Sequence, residues 1–185
     1  MTEPLQQGIQ SVVQAAARKG VALDIRRAPS SVRTPEAIAA VFDVELGQVV
    51  QASIFVAPRP EGRLSPIVCL ASGRDDVDLG LLAAVTGEVA LRPATAREAR
   101  EITGSLAGGI PPFGFGHGLR TVMDRDLSRY QWIWAPAGSD SEVMRVSPGT
   151  LRMLCNAVVV PLVGSNWLAA PTPALAPSLA LGVNP

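Results

Sequence analysis

The sequence predicts an α/β domain built on a mixed β-sheet. Three observations lead there. The chain has 185 residues, 48% hydrophobic and 17% charged, enough apolar material for one sizeable core and too little charge for a disordered chain. Apolar, β-branched runs alternate with segments that carry helix-start signals. Several connections between those runs are of hairpin length, too short for the crossover that a purely parallel sheet needs.

In chain order, Gln6 to Arg18 carries Ile9, Val12, Val13 and Ala16 at helical spacing, and Gly20 can end that helix. VALDI (21–25) reads as a short strand. Thr34-Pro35-Glu36 is a helix start, with Thr as N-cap, Pro at the first helical position and an acid in the first turn; the helix runs to about Phe42. VVQASIFVA (49–57) and SPIVCLAS (65–72), joined by APRPEGRL, read as a hairpin. Asp75 or Asp76 is the expected cap of a helix through Val85, closed by Gly87, and Glu88–Leu91 is a short strand. Thr95 and Glu98 form a capping box opening a helix that ends near Gly104. GLRTVM (118–123), YQWIWA (130–135) and EVMRV (142–146) are strand-like. Ser147-Pro148 starts the last helix, and AVVVPLV (157–163) ends the core. The expected organisation is one domain over 1–163 and an apolar Pro/Ala-rich tail over 164–185.

The charge balance narrows the classes of function. Lys+Arg and Asp+Glu number 16 each, so the formal net charge is 0 and no global basic excess exists to grip nucleic acid. A nucleic-acid partner would need a small local patch. Cys69 and Cys155 lie in apolar surroundings and read as free core thiols, as in a reducing cytoplasm, the expected location. MTEPLQQG carries an acid and a proline before any apolar run, unlike a signal peptide. Residues 153–185 lack charge, but Pro161, Pro171, Pro173 and Pro177 interrupt them too often for a membrane-spanning helix.

Conventional catalytic sets are missing. His117 is the only histidine and sits in a glycine-rich loop; no G-x-S-x-G and no phosphate loop of the G-x-x-x-x-G-K-[ST] type is present. The metal-ligand spacings of a zinc site are absent, so neither a metal nor a cofactor is expected. One stretch stands out: LAGGIPPFGFG (106–116) has almost no polar side chain, and any chemistry there must use backbone N–H and C=O groups.

That stretch, with what precedes and follows it, resembles a known family. TPEAIAAVFDVELGQVVQASIFVA, PIVCLASGRDDVDLGLLAAVTG, ATAREAREITGSLAGGIPPFG, TVMDRDLSRY and WIWAPAG, in that order, resemble the YbaK/ProX-type aminoacyl-tRNA deacylases, relatives of the editing domain of bacterial prolyl-tRNA synthetase. The resemblance covers about residues 20–163. Its most specific piece is TG-x-x-x-GG-x-x-P, here Thr103-Gly104 and Gly108-Gly109-Ile110-Pro111-Pro112, supported by the segment around Ser72-Gly73.

The resemblance implies a barrel-like mixed sheet flanked by helices. It also implies hydrolysis of the ester that joins a wrong amino acid to the 3′-terminal adenosine of tRNA. In the family's mechanism the substrate's own 2′-OH and a water held by main-chain groups do the work, which suits a loop of bare backbone. Carried over residue by residue, the catalytic positions are Gly108, Gly109 and Gln51, and the substrate-binding positions are Thr34, Ser53, Ile110, Pro111, Pro112 and Gly138. The implied partners are the acceptor end of a mischarged tRNA and an aminoacyl-tRNA synthetase, with self-association through the tail. Gln51 departs from the family, which places a lysine there to hold the terminal phosphate. An amide supplies no charge, and charge-assisted bonds are roughly twice as strong; Arg26, Arg27 or Arg33 are candidates to replace that cation. Two readings follow: a deacylase that works with Gln51, or a family member that binds a small ligand or a protein without hydrolysing an ester.

Overall fold

The computed structural model describes residues 3–29, 32–104 and 110–164. Five α-helices and eight strands alternate along them: α1 (Glu3–Ala17), β1 (Asp24–Arg27), α2 (Pro35–Phe42), β2 (Val50–Pro58), β3 (Leu64–Ser72), α3 (Leu79–Thr86), β4 (Arg92–Pro93), α4 (Ala96–Thr103), β5 (Arg120–Asp124), β6 (Ile133–Pro136), β7 (Glu142–Val146), α5 (Pro148–Cys155) and β8 (Val158–Val160). The strands form a five-stranded sheet in the order β4-β2-β3-β5-β8 and a three-stranded sheet in the order β1-β7-β6. The first is mixed: β2 pairs antiparallel with β3 and β4, while β3–β5 and β5–β8 are parallel. The sheets meet at a single parallel bridge, Val49 to Trp134, and neither closes on itself. The expected mixed α/β sheet is present; the barrel-like closure is not.

The hairpin is the frame of the molecule. Residues Val50 to Pro58 run against Ser72 to Leu64 in unbroken register. Alternation sends Val50, Ile54, Val56, Val68 and Leu70 into one core, with Val12 and Ala16 of α1 and Leu151 and Leu154 of α5. Phe55, Ile67 and Cys69 point the other way, into a second core closed by Leu82 of α3, Val122 of β5 and Leu162. A third cluster fills the junction between the sheets, where Ile38, Val49, Trp134 and Val143 are buried and Phe42 stacks on Trp134 with ring centroids 4.7 Å apart.

Caps account for most helix boundaries. Thr34 accepts from the Ala37 N–H, Ser147 from that of Thr150, and Thr95 from that of Glu98, whose carboxylate in turn accepts from the Thr95 N–H. Gly87 and Gly104 close α3 and α4 in the left-handed region, at φ +72° and +67°. Several expected boundaries move, three of them for a visible reason. α3 is capped by Asp78, not Asp75 or Asp76: its side chain accepts from the Leu81 N–H, and its own N–H donates to the Leu162 carbonyl. The first strand lies at Asp24–Arg27 rather than 21–25, because Val21 and Leu23 face the main core while 24–27 pair with β7. The strand expected at Glu88–Leu91 forms at Arg92–Pro93, since Glu88 is held back in an ion pair.

At the β5–β8 edge of the five-stranded sheet, the buried Asp124 carboxylate accepts from the N–H groups of Asp126 and Leu162, fastening the end of β5 to the chain after β8. No helix of the described residues is long and apolar enough to cross a membrane. The 164–185 tail lies outside the described residues except for Gly164.

Candidate functional site

On β2, the residues that alternate with the main core are Gln51, Ser53 and Phe55. Their register partners Ala71, Cys69 and Ile67 share that face. Phe55, Cys69 and Ile67 are covered by α3, but α3 begins only at Leu79, so Gln51 and Ser53 stay open above the start of the sheet. The result is a cleft of about 270 Å³ lined by Gln51, Ser53, Phe55, Ala71, Asp75, Asp76, Val77, Leu79 and Pro93. Its floor is apolar, and its polar groups are one amide, one hydroxyl and two carboxylates. Among the described lining there is no cation.

The approach to α3 places those carboxylates. After β3, Gly73 donates its N–H to the Val49 carbonyl at 2.7 Å, and Asp75 donates to the Ser72 carbonyl. The Ser72 hydroxyl, itself buried, accepts from the Arg74 N–H. A side chain on Gly73 would collide with Pro35, so glycine lets α2 seat its first turn against this bend. With Asp78 fixed as the cap of α3, the chain from Asp75 to Val77 spans the mouth of the cleft. Composition suggested that Asp75 and Asp76 start a helix. Only the structure shows that the cap lies two residues later and leaves them facing the open end of the hairpin.

The other residues singled out in the sequence are distributed as follows. Thr34 is exposed and spends its hydroxyl on the N-cap of α2, beside the Pro35–Gly73 contact. Ile110 packs on the main core, Pro111 and Pro112 are buried, and the Pro112 carbonyl lies 3.4 Å from Cys155 Sγ. The described end of the glycine–proline loop is thus anchored on the sheet face opposite Gln51. Gly108 and Gly109 lie outside the described residues. Gly138 is buried at φ +98°, and an added Cβ would come within 2.7 Å of the Gly8 backbone in α1. Its bareness is used by a close helix contact. Arg26, Arg27 and Arg33 are paired with Asp24, Glu142 and Asp140, on and beside the three-stranded sheet, and none lines the cleft. His117 is exposed in its loop. Among the described residues no group of His, Cys, Asp or Glu is placed to hold a metal ion.

Burial pushes the thiols of Cys69 and Cys155 up to about 12, which removes both as nucleophiles near neutral pH. Among its described residues the cleft therefore offers hydrogen bonds, including the Ser53 hydroxyl, and negative charge, and no thiolate nucleophile.

Comparison with known proteins decides the family. The model of the aminoacyl-tRNA editing domain matches residues 29–154. The chain belongs to that family. It is 22% identical over 121 residues to the proposed Cys-tRNA(Pro)/Cys-tRNA(Cys) deacylase EbsC of Enterococcus faecalis, covering 65% of this chain and 71% of the relative. A crystal structure of a proposed trans-editing enzyme for prolyl tRNA synthetase superposes with a TM-score of 0.76 at 33% identity, covering 85% of this chain and 98% of that one. A crystal structure of a hypothetical protein shares the fold, with a TM-score of 0.75 at 22% identity over 83% of this chain and 99% of that one. The resemblance seen in the sequence is thereby established, and with it an editing and deacylase type of domain whose family acts on aminoacyl-tRNA.

Proposed function

We propose that this editing domain is a trans-acting aminoacyl-tRNA deacylase that hydrolyses the ester of a mischarged tRNA in the Gln51–Ser53 cleft. The observation that carries the reading is the cleft itself. In a chain of this family, the strand position that resembles the family's lysine opens into a cavity of about 270 Å³, a size suited to an aminoacyl group.

The chemistry asked of the protein is modest, because an aminoacyl ester is already activated. The 2′-OH of the terminal adenosine and a water held in the cleft supply the proton relay and the nucleophile; Ile110 to Pro112 pack on the opposite face of the sheet and take no part in this step. The water adds to the ester carbonyl, the 3′ oxygen leaves with a proton, and a free amino acid and an uncharged tRNA result. Gln51 donates its amide N–H to the ester carbonyl, and the Ser53 hydroxyl lies two residues further along the same face. Asp75 and Asp76 favour the α-ammonium end of the substrate and disfavour phosphate at the mouth of the cleft.

Release of free amino acid from a panel of mischarged tRNAs tests the reading. Activity against at least one, lost in Gln51→Ala with an unchanged thermal melt, supports it. A folded wild-type protein that hydrolyses none of them supports instead a ligand-binding role for the cleft, the reading that the missing family lysine and the two carboxylates favour.

A further inference from the structure

The chain has no net basic charge and the described lining of its cleft has no cation, yet a tRNA substrate brings a phosphate at every nucleotide. The face of β2 that carries Gln51 and Ser53 continues through Phe55 and Ala57 to Arg59, whose backbone is extended at φ −122° and still pairs with Arg63. Arg59 Nη2 lies 2.6 Å from Glu88 Oε1, and Arg120 Nη1 lies 3.5 Å from the same oxygen. Arg120 also donates to the Thr86 carbonyl at 2.9 Å, at the end of α3. Arg120 stands in register with Ile67, which pairs with Phe55, so both guanidiniums occupy the cleft face of the sheet.

Burial at this cluster is uneven. The Glu88 side chain is 6% exposed, while those of Arg59 and Arg120 are 45% and 48% exposed. A buried carboxylate needs one cation; here two share it, leaving a surplus positive charge held in fixed orientation with its outer edge in solvent. Two guanidiniums already ordered by Glu88 lose little side-chain freedom on binding an anion. Eight residues of strand separate Arg59 from Gln51, roughly 27 Å at the usual rise, the reach of several nucleotides of extended single strand.

We propose that Arg59 and Arg120, braced by Glu88, form a backbone-phosphate contact for the single-stranded 3′ end of an RNA whose terminal ester enters the cleft at Gln51. This inference rests on the deacylase reading for its choice of RNA end, and it moves the phosphate grip from position 51 to the opposite end of the hairpin. The cluster recognises charge and not sequence.

Fluorescence anisotropy with an uncharged acceptor-stem minihelix bearing a single-stranded 3′ end measures the contact without any hydrolysis. Arg59→Gln and Arg120→Gln, each of which leaves the other guanidinium on Glu88 and removes the surplus charge, should each weaken binding about five- to tenfold at low salt. Each should also flatten the salt dependence by about 0.7 in the log–log slope per lost phosphate contact. Arg59→Lys should keep most of the slope. Hydrolysis of a minimal aminoacyl-adenosine, which lacks those phosphates, should be unchanged in all of them. Folded variants that bind the minihelix like wild type with the same salt slope, or a wild type that does not bind it, overturn the proposal. Weakened binding in the variants of a protein that hydrolyses no ester would sustain the surface and remove the deacylase reading; hydrolysis without any effect of the variants would do the reverse.

Discussion

Gln51 shows how one residue can carry a family position and alter its chemistry. It sits on the open end of β2, in register with Ala71, and shares its cleft with Asp75 and Asp76. A lysine there would add a cation in reach of the terminal phosphate and offset part of the carboxylate charge. Gln51→Lys should therefore raise the rate of mischarged-tRNA hydrolysis about ten-fold, corresponding to 1–2 kcal/mol, with a gain that shrinks as salt rises. A lysine variant that is slower than a fast wild type would mean that the amide is the adapted group. Gly138 is the converse case, where motif resemblance suggests substrate contact and packing against Gly8 offers a different reason for the glycine. Gly138→Ala combines a positive φ with overlap against the α1 backbone, and we expect a loss on the order of 3 kcal/mol in a denaturant melt. An unchanged melt with impaired hydrolysis would return Gly138 to the binding site.

Helix caps separate what sequence makes legible from what it hides. The capping box of α4 was readable because it is local: Thr95, Glu98 and the N–H groups they satisfy lie within four residues. Thr95→Ala should cost about 1 kcal/mol in the same melt. Glu98 adds a pH dependence. Hydrogen bonds from Arg92, then from the Thr95 backbone, lower its carboxyl from 4.5 to about 2. The folded state thus binds this proton less readily than the unfolded chain, so the contribution is complete above about pH 4.5 and is lost as pH falls toward 2. Stability against pH for wild type and Glu98→Gln should converge across that window; a constant gap down to pH 2 would reject the assignment. The cap of α3 was not legible in the same way. Asp75, Asp76 and Asp78 all satisfy the local rule, and the choice among them is made by a distant group, the Leu162 carbonyl that receives the Asp78 N–H. The same tertiary choice creates the cleft mouth, so Asp75 and Asp76 could not be recognised as site residues beforehand. Asp78→Ala should lower stability by about 1 kcal/mol and impair hydrolysis more than that loss explains, because it frees the 75–77 segment.

At the scale of the whole molecule, the five-stranded sheet is a wall with a core on each side, and this has a consequence for how the protein opens. Val50, Ile54, Val68 and Leu70 face the α1–α5 side, while Phe55, Ile67 and Cys69 face α3, all from the same two strands. Neither core can lose its strands without exposing the other. Chain alternation along 49–57 and 65–72 made this hairpin readable, whereas the parallel partners β5 and β8 join it through contacts more than 35 residues distant that no local pattern specifies. The two free thiols report on opposite sides: Cys69 belongs to the α3 core, and Cys155 lies at the end of α5 in the main core. Both are protected by burial and by the pKa of about 12 that burial imposes. We expect a soluble disulfide reagent at pH 8 to label both cysteines slowly, at rates that rise with denaturant along the same slope, because one cooperative opening exposes both. Cys155→Ser and Cys69→Ala, measured separately, assign the two rates. If Cys155 labels far faster with little denaturant dependence, α5 opens by itself and the two faces are separate units. If Cys69 does so, α3 lifts from the sheet without global unfolding, and the floor of the cleft then opens in the native state.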